Sequence, residues 1–382
     1  MLLALPALFA RVDVVELGGG GGRYTNALVP PPGSAAAGPT TAGLPLALWN
    51  LQAPNGGPAV AATRCADAAC GRVETIALWR GAGDPRYIDA SLSPDDGALI
   101  VAFSAPELHV LRCVDDARGA RWAMACSDSV IDAQSNAHGS AYPSIAFHRT
   151  ARAAAPLIAH HARDADGAGG VLRVVACADA TCRAAPPPLE ARTLGYEVGS
   201  YPHIVLDPID GTPTVAYLNA SAGDSGVRHS GAMTLRCADS ACAAWEGAGD
   251  TTADGGAAGG PFPRVVDDAG VQVGSFPRLV FPRADGRPRG ALVMYTAEGA
   301  GQIRTAYCAR DAPRGRGSAS RVHGNATAAP RCAVRVAAHA GVQMYGEFPS
   351  LVLSPGKSPV ASSKSPVSSS RSRAWKHRTS HP

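Results

Sequence analysis

Apolar and polar residues alternate in short runs along most of the chain, and clusters of Pro, Asp and Gly break the runs at intervals. A period of two with turn punctuation predicts β-strands. Six runs open on an aromatic residue: Tyr24 to Val29, Tyr87 to Leu92, Tyr142 to Phe147, Tyr201 to Leu206, Phe276 to Phe281 and Phe348 to Leu353. Their first residues lie 63, 55, 59, 75 and 72 positions apart. Turn clusters follow several of them, such as Ser93-Pro-Asp-Asp-Gly97 and Asp207-Pro-Ile-Asp-Gly211, which supply hairpin dihedrals and local acceptors. A second run ends at Trp49, Phe103, His160, Tyr217 or Tyr295. A third leads into a cysteine, and a weaker fourth follows, as in Val73 to Trp79 and Leu189 to Leu194.

Four antiparallel strands per repeat of this length predict an all-β fold, a β-propeller of four-stranded blades. One such sheet cannot shelter both of its faces, whereas sheets set around an axis cover one another and keep their edges short. A solenoid is the competing architecture, but its repeats are shorter and simpler. The reading is five complete blades plus a partial sixth, formed by Phe348 to Leu353, Ser358-Pro-Val-Ala and, from the other end of the chain, Val12 to Leu17. A truncated piece of a larger ring is the rival. Residues 11–360 form the propeller. Residues 1–10 read as a clipped signal segment or a poor gene start, and residues 361–382 as a disordered basic Ser-rich tail.

Charge alters the picture little. The formal net charge is +4, yet the last 26 residues hold all three lysines, three arginines and no acid. Without them the body is near neutral, which argues against a nucleic-acid surface. No run is long enough for a transmembrane helix, and no cofactor is implied.

The ten cysteines fall one pair per repeat: Cys65 with Cys70, Cys113 with Cys126, Cys177 with Cys182, Cys237 with Cys242 and Cys308 with Cys332. Each pair stands where the third strand turns into the fourth, so disulfides that staple a hairpin are expected. Zinc is disfavoured because the spacing is not a two-residue knuckle and no histidine recurs beside it. Five disulfides imply a secreted or secretory-lumen protein. The sequons Asn219-Ala-Ser and Asn325-Ala-Thr agree, both expected in loops as glycosylation sites. Asp67, Asp115, Asp179 and Asp239 each stand two residues after a first cysteine, and an Asx-type turn is expected of them rather than a cation site.

Ser140–Phe147, Pro213–Tyr217 and Leu172–Cys182 resemble the repeats of secreted β-propellers of the sialidase-like and fucose-lectin-like kind. The resemblance spans roughly Tyr24 to Leu353 and implies the fold. It implies little about activity: only Ser93-Pro-Asp95-Asp-Gly97 partly matches the sialidase Asp-box, without its Thr and Trp, and three equivalently placed arginines are missing.

In a propeller the first strand lines the central channel. Its third position here is Asn26, Asp89, Ser144, His203, Arg278 and Ser350, all polar and chemically different. They are candidate ligand contacts, with a hydrated structural channel as the plainer alternative. Asp89, His203 and Arg278 have the chemistry of an acid, a base and an anion clamp. The loops at the mouth add His160, His161, Asp164, Asp166 and His229. Packing is expected of the His160 ring. Asp164-Ala-Asp166-Gly is half a calcium loop without its third carboxylate or distal Glu, so no metal site is assigned. The expected function is a non-catalytic extracellular module that binds a glycan or protein at the mouth. The alternatives are a glycoside hydrolase-like enzyme using channel carboxylates and a decayed fragment.

Overall fold

A computed structural model describes residues 26–362, except 32–33, 37–42, 54–56, 68–69, 117–121, 133–141, 164–168, 193–195, 223–227, 247–263, 269–272, 285–286, 289, 310–331, 340–349 and 353–359. Five four-stranded antiparallel sheets follow one another. The first is β1 (Asn26–Leu28), β2 (Leu46–Ala53), β3 (Gly57–Cys65) and β4 (Val73–Arg80). The second is β5 (Arg86–Leu92), β6 (Leu99–Ser104), β7 (Leu108–Asp115) and β8 (Met124–Asp132). The third is β9 (Ser144–Arg149), β10 (Ala154–Arg163), β11 (Gly170–Ala176) and β12 (Leu189–Ala191). The fourth is β13 (Tyr196–Leu206), β14 (Pro213–Ala222), β15 (Arg228–Arg236) and β16 (Arg264–Asp267), joined to the third by one parallel bridge from Gly170 to Glu197. The fifth opens with β17 (Val273–Val280), whose turn holds the short ladder of β18 (Arg283–Ala284) and β19 (Arg287–Pro288). It continues with β20 (Gly290–Ala297), β21 (Gln302–Ala309) and β22 (Ala333–His339). The pair β23 (Ser350–Val352) and β24 (Val360–Ser362) begins a sixth unit where the sequence predicts it. Val12 to Leu17, expected to complete that unit, lies outside the described residues, as do residues 1–10 and the tail.

The core lies between the sheets. Leu99, Val101 and Phe103 of β6 pack towards the first sheet, against Leu46, Leu48, Val60 and Ala62. Ile100 and Ala102 of the same strand pack towards the third, with Ile145, Ala155 and Ile158. A strand sends alternate residues to opposite faces, so every residue of β6 is buried. Two further clusters fill the seams between the third and fourth sheets and between the fourth and fifth. The inner strands β1, β5, β9, β13, β17 and β23 stand side by side in chain order. The fold is an all-β propeller.

A repeated device closes the outer part of the seams. Opposite Val60, Leu108 and Ala232, each five residues before its first cysteine, the fourth strand bulges and presents Trp79, Asp132 and Asp267. Each of these reaches the next blade. The Oδ2 of Asp267 accepts from the Tyr295 hydroxyl at 2.7 Å and from Arg304 at 2.9 Å. The Oδ2 of Asp132 accepts from Arg173 at 2.9 Å and lies 3.3 Å from His160 Nε2. Trp79 meets the Phe103 and His109 rings edge-on, with centroids 5.0 and 5.4 Å away.

All five expected disulfides are present, and they are of two kinds. Cys65 bonds to Cys70, Cys177 to Cys182 and Cys237 to Cys242, each pair five residues apart. In these three the second cysteine, Cys70, Cys182 or Cys242, adopts the left-handed conformation, with φ of +54°, +53° and +54°, as a tight turn requires. The other two bonds staple the same two strands without a tight turn. Cys113 of β7 bonds to Cys126 of β8, directly opposite it in the ladder. Cys308 of β21 bonds to Cys332, the residue before β22, across a separation of 24 residues. Their longer connections let the second cysteine stand on or beside the fourth strand, so the bond crosses between the strands. Five such bonds are those of an oxidising, extracellular or secretory environment.

Asp67 accepts from the N–H groups of Gly71 and Arg72, Asp179 from Thr181, and Asp239 from Ala241 and Ala243, the expected Asx turns. Asp115 departs from the rule. Its cysteine pair is 13 residues apart, so the ladder runs on through Asp115, opposite Met124. Asn219 also departs. It lies inside β14, between Val198 and Gly231, because β14 and β15 extend well beyond the run that ends at Tyr217. Asn325 lies outside the described residues.

Candidate functional site

The inner strands carry a feature that alternation alone does not announce. Tyr87-Ile88 opposes Phe103 alone, Tyr201-Pro202 opposes Tyr217 alone, and Phe276-Pro277 opposes Tyr295 alone. Each is a two-against-one bulge, and the prolines among these residues lack the N–H that a regular ladder would need. In the four described copies the leading aromatic adopts the left-handed conformation: φ is +54° at Tyr87, +38° at Tyr142, +53° at Tyr201 and +51° at Phe276. For a bulky side chain this conformation costs about 1–2 kcal/mol. Consecutive rings lean on one another, with centroids 3.8, 4.3 and 4.1 Å apart. The result is an aromatic collar. Burial and the adjoining Tyr201 and Tyr87 hydroxyls push the Tyr142 phenol far above its usual range, so it stays neutral.

Two residues further along each strand comes the polar ring expected from the sequence, and most of it binds one blade to the next. Asp89 Oδ2 accepts the Ile145 N–H at 2.8 Å, Ser144 Oγ accepts the Ile204 N–H at 3.2 Å, and His203 Nδ1 accepts the Leu279 N–H at 3.0 Å. The rule is constant: the third residue of one inner strand receives the fourth N–H of the next. Asn26 joins the series by donating to Asp89 Oδ1 at 2.6 Å. The plainer alternative, polar groups held by backbone, therefore describes three positions. Replacing Asp89 with Ala strands the Asn26 amide and the Ile145 N–H, and a loss of about 1–3 kcal/mol is expected in urea unfolding. Asp89→Leu should cost no less.

Arg278 breaks the rule. A guanidinium has five donors and no acceptor, so it cannot receive an N–H from the next strand. Its one hydrogen bond among the described residues goes to its own neighbour, the Pro277 carbonyl, at 3.3 Å. Asp89, His203 and Arg278 are half-buried. Burial raises the Asp89 carboxyl, and the Ile145 N–H and the Arg278 charge oppose the rise. Burial, helped by Arg278, pushes His203 down to about 3. Burial lowers Arg278, opposed by Asp89. Asp89 and Arg278 stand three blades apart in the chain. Because His203 Nδ1 accepts, its ring proton sits on Nε2.

The mouth candidates are less convergent. His160 is fully buried beside Asp132 and Arg173, a packed ring in a seam as expected, and burial pushes it down to about 4. His161, also fully buried, is its neighbour on the opposite face of β10. Asp164 and Asp166 lie outside the described residues. For His229 and Ser350 only the backbone is described, in β15 and β23. Sequence reasoning treated the collar aromatics merely as strand starts. Their recurrence four times before Pro was the available signal.

No family model matches this chain, and no curated protein matches it. Among solved structures it is similar to a protein of unknown function from Dyadobacter fermentans, at 12% identity and a TM-score of 0.45, over 75% of this chain and 78% of that one. It is also similar to the catalytic domain of a GH62 α-L-arabinofuranosidase from Coprinopsis cinerea, at 10% identity and a TM-score of 0.35, over 74% of this chain and 85% of that one.

Proposed function

We propose that this propeller is a secreted, non-catalytic binding module that receives a glycan at the collar end of its channel. One observation carries the reading: four described copies keep a large aromatic side chain in a backbone conformation that glycine would adopt without strain. Rings facing a channel of Asp, His and Arg offer apolar area for a sugar face and hydrogen-bonding groups for its hydroxyls. A glycosidase would need a second carboxyl group beside Asp89. The other described positions at that level are Asn26, Ser144, His203 and Arg278, and Asp89 is already engaged by Asn26 and Ile145.

The test is a glycan array read alongside pull-down from extracellular fluid, with wild type and Tyr142→Gly. The glycine relieves the strain while removing one ring. Glycan binding that weakens about tenfold in the variant, with stability unchanged or improved, is the expected outcome. Silence on both screens, capture of protein alone, or glycan binding indifferent to Tyr142 would each overturn it.

A further inference from the structure

At three successive seams an acceptor on one inner strand meets a donor on the next: Asp89 with Ile145, Ser144 with Ile204, His203 with Leu279. At the fifth seam the equivalent pair is Arg278 and the N–H of Leu351, the second residue of β23, which stands beside β17. Both members are donors. Arg278 spends one hydrogen bond on Pro277 and makes no ion pair with Asp89 among the described residues. The neighbouring His203 carries its ring proton on Nε2, so that half of the ring is rich in donors and poor in acceptors.

We propose that an anionic oxygen group fills the place of the missing acceptor, bound between Arg278 and the Leu351 N–H, so that the channel ligand also clamps the fifth seam. Converging donors with a fixed cation recognise an oxyanion, and a planar guanidinium suits the two oxygens of a carboxylate or sulfate. The proposal rests on the channel reading above for the place of the site and adds the chemistry of what enters it. The oxygens come either from a free anion or from an acidic sugar.

The experiment is thermal unfolding at constant ionic strength in chloride, with added acetate, sulfate, glucuronate or glucose, for wild type, Arg278→Ser and Arg278→Gln. The serine copies Ser144 and installs an acceptor. Wild type should melt several degrees higher with the anions than with glucose. Stabilisation by acetate or sulfate identifies a free anion as sufficient, and stabilisation by glucuronate alone identifies a sugar-borne group. Arg278→Ser should show no anion effect and should hold its stability without anion. Arg278→Gln, which keeps donors but loses the charge, should lose at least nine-tenths of the effect. No shift in wild type, an equal shift with glucose, or an undiminished shift in either variant would overturn the proposal. The glycan reading is judged separately by the array, since simple anions report on the seam whether or not a glycan binds.

Discussion

Gly199→Ala and Gly274→Ala are expected to be strongly destabilising, each costing about 2–6 kcal/mol from overpacking plus backbone strain. Both glycines stand two residues before a collar aromatic, where the incoming inner strand crosses the third strand of the preceding blade. A Cβ at Gly199 would lie 2.6 Å from the Leu172 Cα, and one at Gly274 would lie 2.6 Å from the Ala232 nitrogen. The obstructing atoms are backbone on a packed strand, so nothing nearby can swing aside. Each site also has positive φ, +91° and +102°. Gly211→Ala separates the two causes. Its φ is +71°, and nothing lies within 4 Å of the added carbon, so it should lose only about 1 kcal/mol. Denaturant midpoints measured on the three variants give the ranking. Equal midpoints would mean that the inner strands do not cross their neighbours this closely.

Acid should loosen the same seams. His203 and His160 are held neutral down to about 3 and about 4, whereas an unfolded chain protonates its histidines near 6.5. Between those values the unfolded state binds the extra protons, so stability falls as pH falls. With two histidines, the folding constant should drop about a hundredfold per pH unit between roughly 6 and 4. The groups around them set the direction. Arg278 faces His203, and Arg173 and His161 oppose charge on His160 while Asp132 favours it. Asp89 works the other way below its raised value, and Asp96, Asp179, Glu190 and Asp210, all lowered, add their own loss in stronger acid. Asn at position 203 keeps an acceptor near the place of Nδ1 but cannot titrate, so His203→Asn should remove about one proton from the slope. Denaturant unfolding across pH 7 to 4 measures it. A flat profile would show that neither ring is held neutral.

The strands, their grouping and the cysteine pairing could be read directly, because alternation, turn clusters and cysteine spacing are local signals that act within a few residues. The placement of Cys126 and Cys332 could not, since it depends on how far the third strand continues past its cysteine before the chain returns. The polar ring was legible as a position but not as a clamp. Asp89 and Ile145 are 56 residues apart and His203 and Leu279 are 76 apart, and only the stagger between blades brings them together. The outer aspartates were missed for a related reason. Asp132 and Asp267 reach the next blade through a bulge, which breaks the period that strand reading relies on. Arg278 was legible as a candidate anion clamp, but its break with the blade-to-blade rule showed only after its fellows had revealed what that position ordinarily does.

The three clamps share a direction. In each, the accepting side chain belongs to the blade nearer the N-terminus and the donating N–H to the blade after it. A nascent chain emerging from the ribosome thus offers each arriving blade a docking partner that has already been synthesised. Growth in that order needs no group still to be made, and premature termination leaves a side chain that water can solvate at the exposed face.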